Sequence, residues 1–408
     1  MDKGKFICSR CVIDTSDPHI IFDKDGVCNH CHQFDDILSK KWLKGPAGEA
    51  ALGKLWNEIK TAGKGKEYDC ILGLSGGIDS AYLAHTCKMA GLRILVVHVD
   101  AGWNSEIAVR NIQNVCSGLD LDLITEVIDW KVMQHLQRAF LKSRVINQDI
   151  PQDHAFFASL YKYAVKNKIN YVLNGGNIAT ESILPEAWRG YQAIDSVHLK
   201  DIYRKNADGR KLKEFPLLHL FRHLSYFSYM TKLKIVTPLN YMGYNRKEAM
   251  ATMNRLYGWE NPGEKHYESL FTRFHQRYNL FEKFGVDERK AHFSSLILAG
   301  QMSRDEALER LAYSPYANDI ERAQEIDFVC KKLDFSRQEF DDIMARSNGR
   351  HEDYRSSQFT FNKIFPIVSR FRNILKQGYF FKGKNKVVRT GVINILCWSG
   401  QMLLEQMQ

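Results

Sequence analysis

The hexapeptide Ser75-Gly76-Gly77-Ile78-Asp79-Ser80 follows a short apolar run, residues 70–74, and precedes an apolar stretch with helical character, residues 81–90. A strand that enters a glycine turn and leaves as a helix is a phosphate-binding arrangement. Paired glycines let the backbone approach an anion closely and expose its N–H groups. The following helix N-terminus adds roughly half a positive charge. Ser75 and Ser80 can donate hydroxyls. Asp79 is a poor phosphate ligand by charge and is expected to meet Mg²⁺. The competing reading is an ordinary strand–helix turn capped by Ser or Asp, and the Gly-Gly pair between serines weighs against it. A Walker loop would place a Lys after its last glycine, and this loop has none.

The surrounding pattern alternates strands and helices. Apolar runs at 93–100, 123–128, 169–173 and 235–239 read as further strands. Helical periodicity fills 104–116 and a stretch opened by Pro151, which carries Phe156, Phe157, Leu160, Tyr161, Ala164 and Val165. Residues 45–67 read as a connecting helix. This alternation predicts an α/β, doubly wound parallel sheet. His98 and Asp100 then end the second strand. Gly175-Gly176-Asn177 ends the fourth, on the edge where open α/β sheets bind ligands. A plain turn is the alternative for that second glycine pair.

Nine cysteines occur in 408 residues. Four form Cys8-x-x-Cys11 and Cys28-x-x-Cys31, a spacing that suits one tetrahedral Zn²⁺ in an N-terminal ribbon or knuckle. An iron–sulfur cluster is the alternative. Cys70, Cys87, Cys116, Cys330 and Cys397 read as core packing. No apolar stretch approaches the roughly 18 residues of a membrane span. The N-terminus has no secretory apolar core, so a cytoplasmic protein is expected. The net charge of +10 favours anionic partners. Its lysines and arginines are dispersed apart from Lys382, Lys384, Lys386 and Arg389, so a nucleic-acid partner is not expected.

After about residue 260 the strand pattern stops and a mainly helical region is expected. Phe271, Phe274, Tyr278 and Phe281 fall at helical spacing, and Ser303 with Glu306 forms a capping-box pattern. The segment Gly263-Glu264-Lys265-His266-Tyr267-Glu268-Ser269-Leu270-Phe271-Thr272-Arg273 sets dense polar residues beside the aromatic stripe. Read as a helix, it would place Lys265, Glu268, Ser269 and Thr272 on one face, flanked by Arg273. A solvated helix face over a core stripe is the plainer reading of the same residues. The expected parts are a zinc-binding ribbon at 1–45, a nucleotide-binding domain at 46–260 and a helical region at 261–408.

The Ser-Gly-Gly-x-Asp-Ser loop resembles the PP-loop of ATP-pyrophosphatases, whose fold is the adenine nucleotide alpha hydrolase type. The 263–272 segment closely resembles the Gly-x-Lys-His-Tyr-Glu-Ser-x-Phe-Thr segment of the N-acetyl sugar amidotransferases. The likeness extends through the cysteine segment, Trp188-Arg189-Gly190-Tyr191-Gln192, Phe284-Gly285-Val286-Asp287 and Ser303-Arg304-Asp305-Glu306-Ala307-Leu308. It covers most of residues 8–312. Glu264 departs from the family's Gly. Beyond about residue 320 no motif stands out.

The resemblance implies an α/β enzyme that uses ATP, Mg²⁺ and Zn²⁺. It implies that Ser75, Gly76, Gly77, Asp79, Ser80, Gly175, Gly176 and Asn177 hold ATP, with His98 and Asp100 beside the adenosine. Lys265, His266, Glu268, Ser269 and Arg273 are then candidates for binding a nucleotide-activated sugar. Ser75, Asp79, Lys265, His266 and Glu268 are candidates for catalysis. The implied reaction turns an acetamido group into an acetamidino group in O-antigen or nonulosonic-acid biosynthesis. The chain shows no glutaminase signature, so a partner is expected to supply ammonia, and the resemblance implies a HisH-like glutaminase with a HisF-like channel subunit. The rival enzyme class is a PP-loop tRNA thiolase, for which Cys116, flanked by Asn114 and Ser117, is the spare thiol. A non-enzymatic zinc-binding interaction module is a third reading, which the intact phosphate loop disfavours.

Overall fold

The computed structural model describes residues 6–207, 212, 214–219 and 233–357. The basic cluster Lys382–Arg389 and Cys397 lie outside these residues. Five strands form one parallel sheet in the order β3-β2-β1-β4-β5. They are β1 (Cys70–Gly73), β2 (Ile94–Asp100), β3 (Asp122–Val127), β4 (Tyr171–Leu173) and β5 (Lys234–Val236). Parallel strands need crossovers, and helices supply them. Alternate residues of the strands bury on opposite faces. Leu72, Ile94 and Val96 pack under the helices Ile78–Met89, Glu106–Gly118 and Arg246–Tyr257. Ile71, Leu95 and Val97 pack against Ile150–Lys166.

The strand order reverses direction between β1 and β4. That switch point opens a crevice at the carboxyl ends of the two strands. The 75–80 loop leaves β1 there, and Gly175-Gly176-Asn177 leaves β4 beside it. The expected doubly wound sheet is therefore present, and its topology alone puts both glycine pairs at one crevice.

Two stretches differ from expectation. Trp130–Ser143 is an amphipathic helix that the strand–helix reading passed over. Its stripe of Met133, Leu136 and Phe140 packs with Leu199 and Ile202. Residues 263–269 are a turn, not the start of a helix. His266 holds φ at +67° there, a left-handed conformation that an α-helix cannot contain. The helix begins at Leu270, with Ser269 as its cap. It continues as a wider π-helical stretch, His275–Lys283. From Arg289 to Ala345 the described chain is helical, as expected. Among the described residues no helix is long and apolar enough to cross a membrane.

Candidate active site

The 75–80 loop is shaped by close approach. Gly76 holds φ at +89°, and a Cβ there would lie 2.7 Å from the Ala108 carbonyl oxygen. Both facts demand glycine. From behind, Asn111 Nδ2 and Trp259 Nε1 donate to the Gly76 carbonyl at 3.1 and 3.0 Å. Gly77 caps the Ile78–Met89 helix with extended backbone and no side chain. Ser75 Oγ accepts from the Gly77 N–H at 3.2 Å, and Ser80 Oγ lies 3.4 Å from Ser75 Oγ. The second glycine pair leans on this loop, since a Cβ at Gly175 would come 3.1 Å from the Ser80 nitrogen. Asn177 caps the short helix Ile178–Glu181 through its side chain. The Gly176 N–H is turned inward to Asn174.

The turn at 263–269 closes onto the same loop. Lys265 is buried, and its ammonium donates to Asp79 at 2.5 Å and Thr180 at 2.9 Å. It also pairs with Glu181 at 2.9 Å. Asp79 receives a second bond from the Tyr244 hydroxyl. Burial alone would raise the Asp79 carboxyl, but Lys265 and Tyr244 outweigh it and hold it below its usual range. Glu268 reaches the 75–80 loop itself, accepting from Ser75 Oγ at 3.0 Å.

These contacts bear on the roles expected for Lys265, Asp79 and Arg273. Lys265 spends all three ammonium protons on protein, so it is a strut between loops and has no donor left for a sugar. Asp79 already accepts at both oxygens, so a Mg²⁺ ion there would share them with Lys265 and Tyr244. Arg273 Nε donates to Glu325 at 2.6 Å in the helical region, a bond that leaves its other guanidinium donors uncommitted. The shared helical face proposed for Lys265, Glu268, Ser269 and Thr272 does not exist. The turn at His266 is what points Lys265 and Glu268 at the loop.

Ser269 and Thr272 face a different recess. Ser269 Oγ donates to Gln152, and Thr272 Oγ1 donates to Asp149, each at 3.0 Å. Asp149, Asp153 and Glu288 meet there. Burial, then the Asp153 charge, drives the Asp149 carboxyl well above its usual range. The Asp153 side chain reaches solvent, while burial followed by the Asp287 charge pushes Glu288 up to about 7. The His266 ring lies 5.8 Å from that of His292. Burial and then the His266 and Lys265 charges keep His292 neutral. Sequence reading missed Tyr244, Thr180, Glu181 and the acidic recess. One signal was available: Asp149 and Asp153, four residues apart around Pro151, share a face of the helix opened there.

His98 and Asp100 line a cleft of about 470 Å³ between Glu106–Gly118 and strands β2 and β3. Asn104 Nδ2 bridges His98 Nε2 and Asp100 Oδ1, each at 3.0 Å. Cys116 lines the same cleft. It is buried with Ile112 and Val115, and burial pushes its thiol up to about 11. Its setting is apolar, contrary to the polar one expected from its neighbours, and it offers no ready thiolate.

At the N-terminus the Cys8, Cys11, Cys28 and Cys31 sulfurs lie within 4.8 Å of one another. Three of the separations are 3.9, 3.7 and 3.7 Å. A tetrahedron with metal–sulfur bonds of about 2.3 Å has edges of about 3.8 Å, so the set fits one tetrahedral ion. An iron–sulfur cluster would spread the thiolates over several irons and further apart. His30 and His32 pair with Asp17 and Asp23 and stand outside the set. Arg304 donates to the Cys8 and Cys11 carbonyls, and the Val12 N–H donates to Ser294. The knuckle thus braces the helices after Asp287.

Residues 268–367 match the family model described as LPS biosynthesis protein WbpG-like, C-terminal domain. That segment resembles the C-terminal domain of this family. The match bears out the family resemblance, begins at Glu268 and runs past residue 320, where sequence reading found no motif. No curated protein matches the chain. Among solved structures, the NH3-dependent NAD synthetase from Campylobacter jejuni is 22% identical over 36% of this chain, TM-score 0.28. The chain covers 63% of that protein. The NMN synthetase from Francisella tularensis is 15% identical over 65% of this chain and 92% of its own, TM-score 0.33. The NAD+ synthetase from Burkholderia pseudomallei is 15% identical over 70% and 94%, TM-score 0.34. Scores this low carry no weight for function.

Proposed function

We propose that the chain is a PP-loop ATP-pyrophosphatase that converts an acetamido group of a nucleotide-activated sugar to an acetamidino group in lipopolysaccharide biosynthesis. The observation that carries this reading is the closure of Lys265 and Glu268, at the edge of the WbpG-like segment, onto the 75–80 loop. A phosphate cradle and a family-specific turn share one crevice. In this reading residues 46–260 bind MgATP, residues 261–408 complete the sugar site, and residues 1–45 hold a structural Zn²⁺. Four thiolates leave that ion no open position for substrate.

An amide carbonyl resists ammonia because its oxygen is a poor leaving group. The amide oxygen attacks the α-phosphorus of ATP, and pyrophosphate leaves into the N–H groups of the loop. Ammonia then adds to the activated carbon. AMP departs with the former amide oxygen, and a proton from the nitrogen passes to the protein. His266 or Glu268, in the turn that closes onto the loop, would relay that proton. His98 and Asp100 stand at the cleft proposed for adenosine. Positioning and charge stabilisation carry most of the catalysis. A HisH-like glutaminase with a HisF-like channel subunit would deliver ammonia, in the cytoplasm.

The test is mass spectrometry of nucleotide-linked N-acetyl sugars incubated with the protein, ATP, Mg²⁺ and ammonium. A product lighter by the difference between oxygen and NH supports the reading. Sugars unchanged across UDP- and CMP-linked donors would count against it.

A further inference from the structure

Glu268 brings a carboxylate into a loop built for phosphate. Its Oε1 accepts from Ser75 Oγ at 3.0 Å. A Cβ on Gly77 would lie 2.6 Å from Oε1 and 3.3 Å from Oε2. The carboxylate therefore fills the space above the glycine pair. Electrostatically this is natural, because the loop and the helix behind it attract anions. It also puts a fixed negative charge where a nucleotide's phosphates belong.

The chain cannot simply carry that charge away. The Glu268 carbonyl accepts from the Ser105 N–H at 2.9 Å, and the Leu270 N–H donates to the Trp103 carbonyl at 2.7 Å. Asn104 and Ser269 pair between these two bonds. With the backbone pinned on both sides, the side chain rotates but stays within reach of the loop. Nor do the described residues neutralise it. Lys265, the nearest cation along the chain, is spent on Asp79, Glu181 and Thr180. Among the described residues Glu268 has no ion-pair partner.

We propose that Glu268 is the resident anion of the phosphate loop and makes nucleotide entry conditional on a divalent cation. This rests on the phosphate-loop reading above. Two anions share the cradle only when a cation bridges them, so the loop admits Mg²⁺-complexed ATP or pyrophosphate and rejects the metal-free forms. Glu268 is then the residue of this chain that faces the cation.

The experiment is calorimetric titration of ATP and of pyrophosphate, each with Mg²⁺ and with EDTA, into wild type and Glu268→Gln. Gln keeps the shape and the Ser75 contact while removing the charge. In wild type, Mg²⁺ should tighten both ligands at least about tenfold. In Glu268→Gln, metal-free binding should tighten by about tenfold and the Mg²⁺ effect should shrink correspondingly. Metal-free affinity no tighter in Glu268→Gln than in wild type overturns the proposal while leaving the phosphate loop intact. Equal wild-type affinity with and without Mg²⁺ overturns it whatever the variant does. If wild type fails to bind MgATP at all, the phosphate-loop reading falls and this inference with it.

Discussion

Lys265 donates to Asp79 across 2.5 Å, although 186 positions separate them in the chain. Asp79 sits in the first turn of the helix behind the phosphate loop, and Lys265 sits in the turn that leads into the WbpG-like segment. Their pairing ties the nucleotide half of the crevice to the half proposed for the sugar.

Breaking that tie should be costly. Lys265→Met leaves Asp79 and Glu181 without their shared cation, and the Asp79 carboxylate is largely buried. Loss of one partner of a buried pair costs about 3–5 kcal/mol. A lower urea midpoint together with weakened MgATP binding is expected. Lys265→Arg, which keeps the charge, should recover part of both. Wild-type stability in Lys265→Met would show that the strut is dispensable.

The glycine pair should fail in two distinguishable ways. Gly76→Ala forces a side chain into a left-handed backbone against the Ala108 carbonyl, at about 1–3 kcal/mol of strain. Gly77→Val keeps an allowed backbone but adds bulk to the cradle. Both should lose MgATP binding. Circular dichroism should show a native fold for Gly77→Val and a lowered melting temperature for Gly76→Ala.

What the sequence made legible follows its periodicities. The 75–80 loop, the glycine pair after β4 and the cysteine pairs were readable because each depends on contiguous residues. The helix Trp130–Ser143 had a clear apolar stripe that the strand–helix reading passed over. The 263–269 turn was harder. Its aromatic stripe continues smoothly into the helix, and nothing in His266 announces φ of +67°. The partners of Lys265, Arg273 and Asp79 come from distant segments, so residue type suggested ligands where tertiary pairing had already used the charge. Tyr244 and Glu181 were invisible for the same reason.

Metal loss should be felt beyond the knuckle. Cys28→Ser removes one of four thiolates, and structural zinc contributes on the order of 10 kcal/mol to a small site. Through Arg304 and Ser294 the knuckle braces the helices Arg289–Leu298 and Arg304–Leu311. Elemental analysis should show zinc lost, with a lower melting temperature and reduced turnover. Full activity in zinc-free protein would contradict a bracing role.

Glu288 should impose a recognisable pH dependence. Its carboxyl rises from an ordinary 4.5 to about 7 in the folded protein, through burial and then Asp287. The folded state therefore holds this proton longer than the unfolded chain. Its contribution to stability is fullest below about pH 4.5 and is lost as pH rises through about 7. Glu288→Gln removes that loss. Near pH 8 the variant should be more stable than wild type by about 1–2 kcal/mol, allowing for solvent screening, and near pH 4 the two should match. Denaturant titrations at both pH values check the sign.

The most direct test of the account is the nucleotide product. Wild type is supplied with ATP, Mg²⁺, ammonium and a panel of nucleotide-linked N-acetyl sugars, and the nucleotides are separated by chromatography. The account expects AMP and pyrophosphate in equal amounts, formed only when an accepted sugar is present and absent with Gly77→Val. Sugar-dependent release of ADP and phosphate, or AMP formation that survives in Gly77→Val, would contradict it.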